Sequence, residues 1–308
     1  MVRIAYLGPH GTFTEAALLQ MIAAGALPAR PTGEVRQIST TGAAAALDAV
    51  RDGSADYACV PIENSIDGSV APTLDSLATG RPLQLYAETT LDVAFSIVVR
   101  PGRATVDVAT VAAHPVAGAQ VRRWLAAELP AARLLPAHSN AAAAEQVVDG
   151  TADAAVSTAL AADHHGLATL AAGVVDEPNA RTRFVLAGRP GPPPARTGAD
   201  RTSVVLRIDN APGALVAVLT EFGIRDIDLT RIESRPTRVE LGTYLFFLDC
   251  VGHLDDDAVG AALKALHRRC VDVRYLGSWP TGAVAGATPP PADAAARWLE
   301  SLKRGERA

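Results

Sequence analysis

Residues 44–60 read "AAALDAVRDGSADYACV" and residues 141–157 read "AAAAEQVVDGTADAAVS". Aligned without gaps, Ala44, Ala45, Ala46, Val50, Asp52, Gly53, Ala55, Asp56 and Ala58 recur as Ala141, Ala142, Ala143, Val147, Asp149, Gly150, Ala152, Asp153 and Ala155. Alanine-rich helices align easily, but alanine does not explain the shared Asp-Gly-x-Ala-Asp. Each copy reads as a helix, a glycine stop and a strand that starts at Ala-Asp. Before each helix stands a pair of good N-caps, Thr40 with Thr41 and Ser139 with Asn140. A polar stretch follows each strand, "ENSIDGS" in one copy and "STAL" in the other. The repeat predicts two similar α/β lobes enclosing a cleft, with ligand at the carboxyl ends of the strands. Helix N-termini would point inward from both lobes, which suits a small dianion.

Outward from the repeat, "VRIAYLG" predicts a strand that leads through Pro9, His10 and Gly11 into the helix "TFTEAALLQMIAAG". Thr12 and Glu15 have capping-box spacing, and Ala16, Leu19 and Ile22 fall on one helical face. The extended runs "QLYAETTLDVAFSIVV" (84–99) and "RTRFVLAG" (181–188) read as hinge strands crossing between the lobes. That places Thr182 at the floor of the cleft. A Pro/Gly-rich linker occupies residues 189–200, between a two-lobed domain (1–188) and a second domain (201–280). The second domain reads βαββαβ, a ferredoxin-like order, with Pro212 near the first turn of its first helix. In the tail, residues 281–308, "PTGAVAGATPPP" should be mobile and "ADAAARWLESLKR" should form a short helix.

The chain has 308 residues, enough for two or three properly buried cores. A net charge of −5 leaves no basic stripe for nucleic acid. Cys59, Cys250 and Cys270 are too scattered for a disulfide framework or a zinc site, so no metal is expected and a reducing cytosol is the simplest setting. The N-terminus lacks the apolar stretch of a signal peptide, and no apolar run is long enough to span a bilayer. A cytoplasmic protein without membrane partners is expected.

"GPHGTFTEAA", "VPIENSIDGSV", "TRF", "PGAL" and "LTRIESRP" stand in this order along the chain. Together they resemble the prephenate dehydratases over residues 1 to about 280. Asp176 also stands at the family's usual distance before "TRF". The chain departs from the family at His165, where an aromatic is common, and after Pro115, where "AHPVAGAQV" keeps His114, Pro115 and Gln120 but loses a polar residue. The resemblance implies an α/β protein: a two-lobed, periplasmic-binding-protein-like catalytic domain plus a ferredoxin-like βαββαβ ACT domain. It implies a monofunctional enzyme that removes CO2 and water from prephenate, giving phenylpyruvate for phenylalanine synthesis. Aromatisation drives that reaction, so no cofactor is expected.

The resemblance makes Thr182 the candidate donor to the departing oxygen, with Arg183, Phe184, Glu63, Asn64 and Ser65 beside it. If strand alternation holds, Arg181 and Arg183 share a face opposite Thr182. Either Thr182 points to substrate while Arg183 bonds a supporting carboxylate such as Glu63, or the reverse; the first is favoured. Phe184 would follow Thr182 as an apolar wall. His114 either caps the helix starting near Pro115 or contacts substrate, while Thr12 and Ser139 are candidate anion-holding caps. In the ACT-like domain, Asn210, Pro212, Gly213, Ala214 and Leu215, with Glu233, Ser234, Arg235 and Pro236, are implied as an L-phenylalanine site at a subunit interface. A homodimer or homotetramer follows from that pairing. Two alternatives stay open: a ligand-binding protein without catalysis, and an enzyme acting on arogenate, the amino analogue of prephenate.

Overall fold

The computed structural model describes residues 1–28, 34–238, 240–282, 286–288 and 293–306. Two compact units form, Met1–Ser76 with Thr89–Ala187, and Leu77–Glu88 with Gly188–Ala308. The chain begins β1 (Val2–Leu7), α1 (Phe13–Ala23), β2 (Val35–Thr40), α2 (Ala43–Asp52), β3 (Tyr57–Asn64), β4 (Gly68–Ser69), α3 (Ala71–Ala78) and β5 (Gln84–Asp92). It continues β6 (Phe95–Val99), β7 (Thr110–Ala113), α4 (Pro115–Gln120), α5 (Arg122–Glu128), β8 (Arg133–Pro136) and α6 (Asn140–Val148). The unit closes with β9 (Ala154–Ser157), α7 (Ala159–His165), β10 (Ala168–Val174) and β11 (Arg181–Gly188).

One sheet has the order β2-β1-β3-β11-β5, with β4 beside β3, and the other β10-β6-β9-β7-β8. β1 pairs in parallel with β2 and β3, and β7 in parallel with β8 and β9. The order β2-β1-β3 therefore recurs as β8-β7-β9, and the repeat in sequence is a repeat in topology. The repeated aspartate has one job in both copies. Asp56 Oδ2 accepts from the Arg3 backbone N–H (2.9 Å), and Asp153 Oδ2 accepts from the N–H groups of Ala109 (3.1 Å) and Thr110 (3.0 Å). Each carboxylate fixes the start of the neighbouring parallel strand, where a free edge N–H would otherwise lack a partner.

The second sheet is apolar on both faces. Ile97, Val99, Val111, Ala113, Ala154 and Val156 enter one core, while Val98, Ala112 and Ala155 enter the other, with Val147 and Ala161. Unbroken runs of small and branched residues are what strands covered on both sides require. The run 84–99 passes from the first sheet to the second, as β5 and then β6. "RTRFVLAG" does not cross: β11 lies wholly in the first sheet, and the return crossing is 175–180. The two crossings are tied where Val93 N–H donates to the Ala180 carbonyl (2.7 Å).

Two local readings need correction. Helix α1 buries Thr14, Ala17, Leu18 and Met21, whereas Leu19 of the Ala16/Leu19/Ile22 stripe is exposed. Both stripes are apolar, so periodicity alone could not choose between them. Helix α2 is entered from Gly42 with no side-chain cap, because the Thr40 hydroxyl donates instead to the Tyr6 and Gly42 carbonyls. Ser139 does cap α6, accepting from Ala142 N–H, and Asn140 is that helix's first residue.

The second unit contains β12 (Asp200–Arg207), α8 (Ala214–Gly223), β13 (Leu229–Pro236), β14 (Tyr244–Val251), α9 (Asp257–Arg269), β15 (Asp272–Pro280) and α10 (Asp293–Lys303). Its sheet order, β13-β14-β12-β15, is the ferredoxin-like one, and the printed pairings are antiparallel. Val204, Leu206 and Leu248 pack with Val218, Phe222, Val259 and Leu266 of the two helices. Pro212 precedes the Gly213 N-cap and so lies ahead of the first helical turn. Other strand residues of the unit form a buried ionic row: Arg231 grips Asp249 through Nε (2.9 Å) and Nη2 (3.0 Å), and Arg201 lies 3.7 Å from Asp249 and 3.5 Å from Glu88. The Pro/Gly-rich stretch is tied into this unit, with Gly191 N–H on Gln84 Oε1 and the Pro194 carbonyl against His253. α10 occupies the tail helix read from the sequence, while part of the expected mobile stretch (283–285 and 289–291) lies outside the described residues.

Asp153→Ala is expected to lower unfolding stability by about 1–3 kcal/mol, because it removes the acceptor for two strand-edge N–H groups. The Thr110 hydroxyl first, then the backbone N–H groups, hold the Asp153 carboxyl below its ordinary value. The stabilisation is therefore present above the unfolded carboxylate value near ~4 and is lost as pH falls through the lower folded value. Urea denaturation should show a gap between wild type and variant at pH 7 that closes in acid.

Candidate active site

The carboxyl ends of the parallel strands carry the polar residues of both lobes. Leu7 and Thr40 end β1 and β2, and Asn64 ends β3; in the other lobe His114 follows β7, Ser139 follows β8 and Thr158 follows β9. Between these rims lies a cavity of about 640 Å³, within the range of small-molecule sites. The first lobe lines it with Leu7–Pro9, Thr12–Thr14 and Ser39–Thr41, and the second with His114, His138–Asn140 and Ala142. Helices α1 and α6 begin at this lining, with Phe13, Thr14, Asn140 and Ala142 of their first turns in it, so two positive helix ends border the space.

The rims are joined at Gly11. Its carbonyl accepts from Thr158 Oγ1 (2.5 Å), the N-cap of α7, which itself accepts from Ala161 N–H (3.0 Å). Gly11 has φ +84°, and a Cβ there would stand 2.8 Å from Ala161 Cβ. Only glycine fits both demands. Glu15 holds this turn from inside. Its buried carboxylate accepts from Gly11 N–H (2.5 Å) and meets His10 Nδ1 at 3.1 Å, so it closes on Gly11 and not, as in a capping box, on Thr12. Burial first, with the Glu15 charge adding, pushes the Tyr6 phenol up to about 12, which keeps it protonated 2.8 Å from His10 Nδ1.

Thr12, His114 and Ser139 all line the cavity. The Thr12 hydroxyl is occupied: it donates to the Leu7 carbonyl (3.1 Å) and accepts from Glu15 N–H (3.3 Å). Ser139 Oγ accepts from Ala142 N–H (3.0 Å), leaving its proton for another partner. His114 stands at the N-cap of α4 without a side-chain capping bond, and it lines the cavity.

Thr182, Arg183, Phe184, Glu63, Asn64 and Ser65 form a second group, outside that lining, where β3 ends beside the start of β11. Asn64 Oδ1 accepts from Ile66 N–H (2.8 Å) and Asp67 N–H (3.0 Å), which fixes the amide, and its Nδ2 donates to Thr182 Oγ (2.9 Å). The Thr182 hydroxyl thus has its acceptor side filled and its proton without an acceptor among the described residues. Ser65 is a brace: its N–H donates to the Arg181 carbonyl (2.8 Å) and its Oγ accepts from Arg181 N–H (2.8 Å). Arg183 and Glu63 pair, with Nε at 3.0 Å and Nη2 at 2.8 Å from Oε2. The Arg181 side chain forms an exposed pair with Asp92 (2.8 Å), worth little in water. Of the two alternatives weighed from the sequence, the Arg183–Glu63 contact belongs to the first. Phe184 is buried in the protein and does not line the cavity. Asp176 sits elsewhere, accepting from Arg123 N–H (3.0 Å) at the start of α5.

In the second unit Asn210, Pro212 and Gly213 are exposed in the turn before α8, with Ala214 and Leu215 half-buried in its first turn. Glu233, Ser234, Arg235 and Pro236 lie on β13, an edge strand of the sheet, with Ser234 and Pro236 exposed. Both segments are open to a ligand or a second copy.

Sequence reasoning missed the cavity's roles for Ser39, His138 and Asn140 and the joint made by Thr158. Asn140 was visible only as a cap, and Thr158 only as part of a polar stretch.

Comparison with known proteins gives one family. The family profile described as prephenate dehydratase matches residues 4–192, and that described as ACT domain matches 202–268. A protein named prephenate dehydratase from Mycobacterium tuberculosis (strain ATCC 25618 / H37Rv) is 73% identical over 306 residues, covering 99% of this chain and 95% of its own. Among solved structures, a prephenate dehydratase in complex with L-Phe from Arthrobacter aurescens is similar with a TM-score of 0.86 and 40% identity, over 98% of this chain and 100% of that one. GqqA, described as a novel type of quorum quenching acylase, is similar at TM-score 0.76 and 29% identity, over 91% of this chain and 98% of that one.

Arg183→Lys keeps the charge but loses the planar fork on Glu63, and the side chain is nearly buried. It is expected to lower unfolding stability by about 1–3 kcal/mol. A denaturation midpoint equal to wild type would show that the pair is dispensable.

Proposed function

The chain belongs to the prephenate dehydratase family, and we propose that it converts prephenate to phenylpyruvate through the rim where Thr182 meets Asn64. In this reaction the bond from the ring to its carboxylate breaks and CO2 leaves. The released electron pair becomes part of the aromatic ring, and the ring C–O bond breaks on the opposite carbon. Hydroxide must depart with a proton, as water. The protein therefore has to hold two carboxylates and supply a hydrogen bond that strengthens as charge grows on the departing oxygen.

The observation that carries this reading is the Thr182 hydroxyl. Accepting from Asn64 Nδ2 polarises its O–H, and that proton points to no acceptor among the described residues. An unassisted threonine is a poor acid, so its role is to hydrogen-bond the leaving oxygen or relay a proton to it. Asn64, Ser65 and the Arg183–Glu63 pair hold Thr182 in place, and the helix ends around the cavity suit the dianion. No cofactor enters the proposal, because aromatisation supplies the driving force.

Phenylalanine is the proposed regulator, acting through the ACT domain; the relative from Arthrobacter aurescens was solved with L-Phe bound. An inhibitory coupling of about 1–3 kcal/mol between the two sites would suffice. Assembly into dimers or tetramers through the exposed 210–215 and 233–236 segments belongs to the same reading. So does a cytoplasmic setting, which three free thiols suit. No helix among the described residues is long and apolar enough to cross a membrane.

Incubation with prephenate, followed by mass spectrometry for phenylpyruvate, tests the reaction. No product from intact protein would overturn it. Thr182→Ala is expected to lower turnover by roughly a hundredfold or more, with a much smaller change in the Michaelis constant. Turnover near wild type would remove Thr182 from the chemistry. Glu233→Ala should leave basal turnover intact and abolish inhibition by phenylalanine. Retained inhibition would place the regulatory site elsewhere.

A further inference from the structure

The cavity and the Thr182–Asn64 pair are separate groups of residues, yet one substrate has to meet both. Their relative placement must be fixed. The start of α1 is held on the second lobe at two points. Gly11 is the first, through Thr158 at the N-cap of α7. Phe13 is the second. Its ring stands edge-on to Phe95 of β6, with centroids 5.6 Å apart and planes at 78°, a geometry that aromatic pairs favour.

Phe95 is buried in the core of the second lobe. Of the described apolar side chains packed in that core, Phe13 alone comes from the first lobe; the others stand at or beyond Val93. The same core contains Val93 and Ala180, the residues that tie the two crossings together. Ala180 is followed by Arg181 and then by Thr182. Phe13 also lines the cavity, between Thr12 and Thr14. One residue therefore belongs both to the cavity and to the core in which the crossings are rooted. Swinging the lobes apart about those crossings would draw the ring off Phe95 and return it to water. Burial of the ring thus holds the lobes in register before any substrate arrives.

We propose that Phe13 is a positioning residue: wedged against Phe95, it fixes the cavity relative to Thr182 and so aligns the bound substrate for loss of its hydroxyl. The inference rests on the dehydration reaction proposed above. Phe13 breaks no bond itself, and its effect comes through the placement of Thr182.

The test is a double-mutant cycle on the steady-state kinetics of prephenate turnover, with Phe13→Leu, Phe95→Leu and the two combined. Leucine keeps each site apolar but removes the ring edge. Each single variant is expected to lower kcat by roughly threefold to tenfold, with a smaller change in KM. The combined variant should be little worse than the poorer single one, because the contact is already lost in either. Phe13→Ala should lower kcat further; circular dichroism checks its fold, and the leucine cycle decides the matter if it does not fold. A merely structural role would lower the denaturation midpoint and leave kcat and KM of the folded enzyme alone. A role confined to touching substrate would raise KM and combine additively with Phe95→Leu. Either result overturns the inference while the dehydration reading stands. If wild type turns over no prephenate, the dehydration reading itself falls, and this inference with it.

Discussion

The hydrogen bond from Thr158 to the Gly11 carbonyl is the contact on which the cavity depends. It brings the carboxyl edge of one lobe against that of the other, so that a helix start from each lobe borders a shared space. The joint requires a residue with φ near +84° and no Cβ, set against the first turn of α7. It also requires a turn that does not slide. Glu15 meets that need by placing a buried carboxylate on Gly11 N–H. Burying such a charge is costly unless several hydrogen bonds surround it, and here His10 and the backbone do so.

From that joint the electrostatic character of the site follows. Strands that end together present helix starts together, and helix starts are donors. The side chains extend the theme: the lining contains hydroxyls, imidazoles and an amide, and among the described residues no carboxylate. Nearby acids are committed elsewhere, Glu15 to the turn and Glu63 to Arg183. A dianion enters such a space without having to displace an opposing charge. The Thr182–Asn64 pair stands at the end of β3, the strand next to β1, so the reacting group and the anion-holding ends share one sheet edge.

Much of this was legible from spacing. The doubled Asp-Gly-x-Ala-Asp identified two lobes, and the aspartates prove to be what holds each lobe's strands in step. The βαββαβ order of the second unit followed from its strand and helix periods. The Arg183–Glu63 pair was one of two alternatives that strand alternation offered. What spacing could not give were choices between equivalent local options. An alanine-rich helix offers two apolar stripes, so the buried face of α1 was misread. Thr40 is as good a cap as Ser139 by type, yet its hydroxyl is drawn to the Tyr6 carbonyl of neighbouring β1. The joint made by Thr158 depends on a contact 147 residues away in sequence, which leaves no trace in local pattern.

The segment Leu77–Glu88 packs with the C-terminal unit although the chain reaches it long before. Arg274 donates to the carbonyls of Leu77, Thr79 and Gly80, Trp279 Nε1 donates to Glu88, and the Leu85 backbone lies so close to Gly277 that a Cβ there would stand 2.3 Å from its oxygen. A gene cut after residue 188 would therefore not deliver a clean single-domain protein. It would leave the carbonyls of Leu77, Thr79 and Gly80 without Arg274 and uncover the backbone of Leu85 on β5, the edge strand of its sheet, a template for intermolecular strand pairing. Loss of soluble expression in such a fragment would report on this interleaving, and not on whether the two lobes can carry out chemistry.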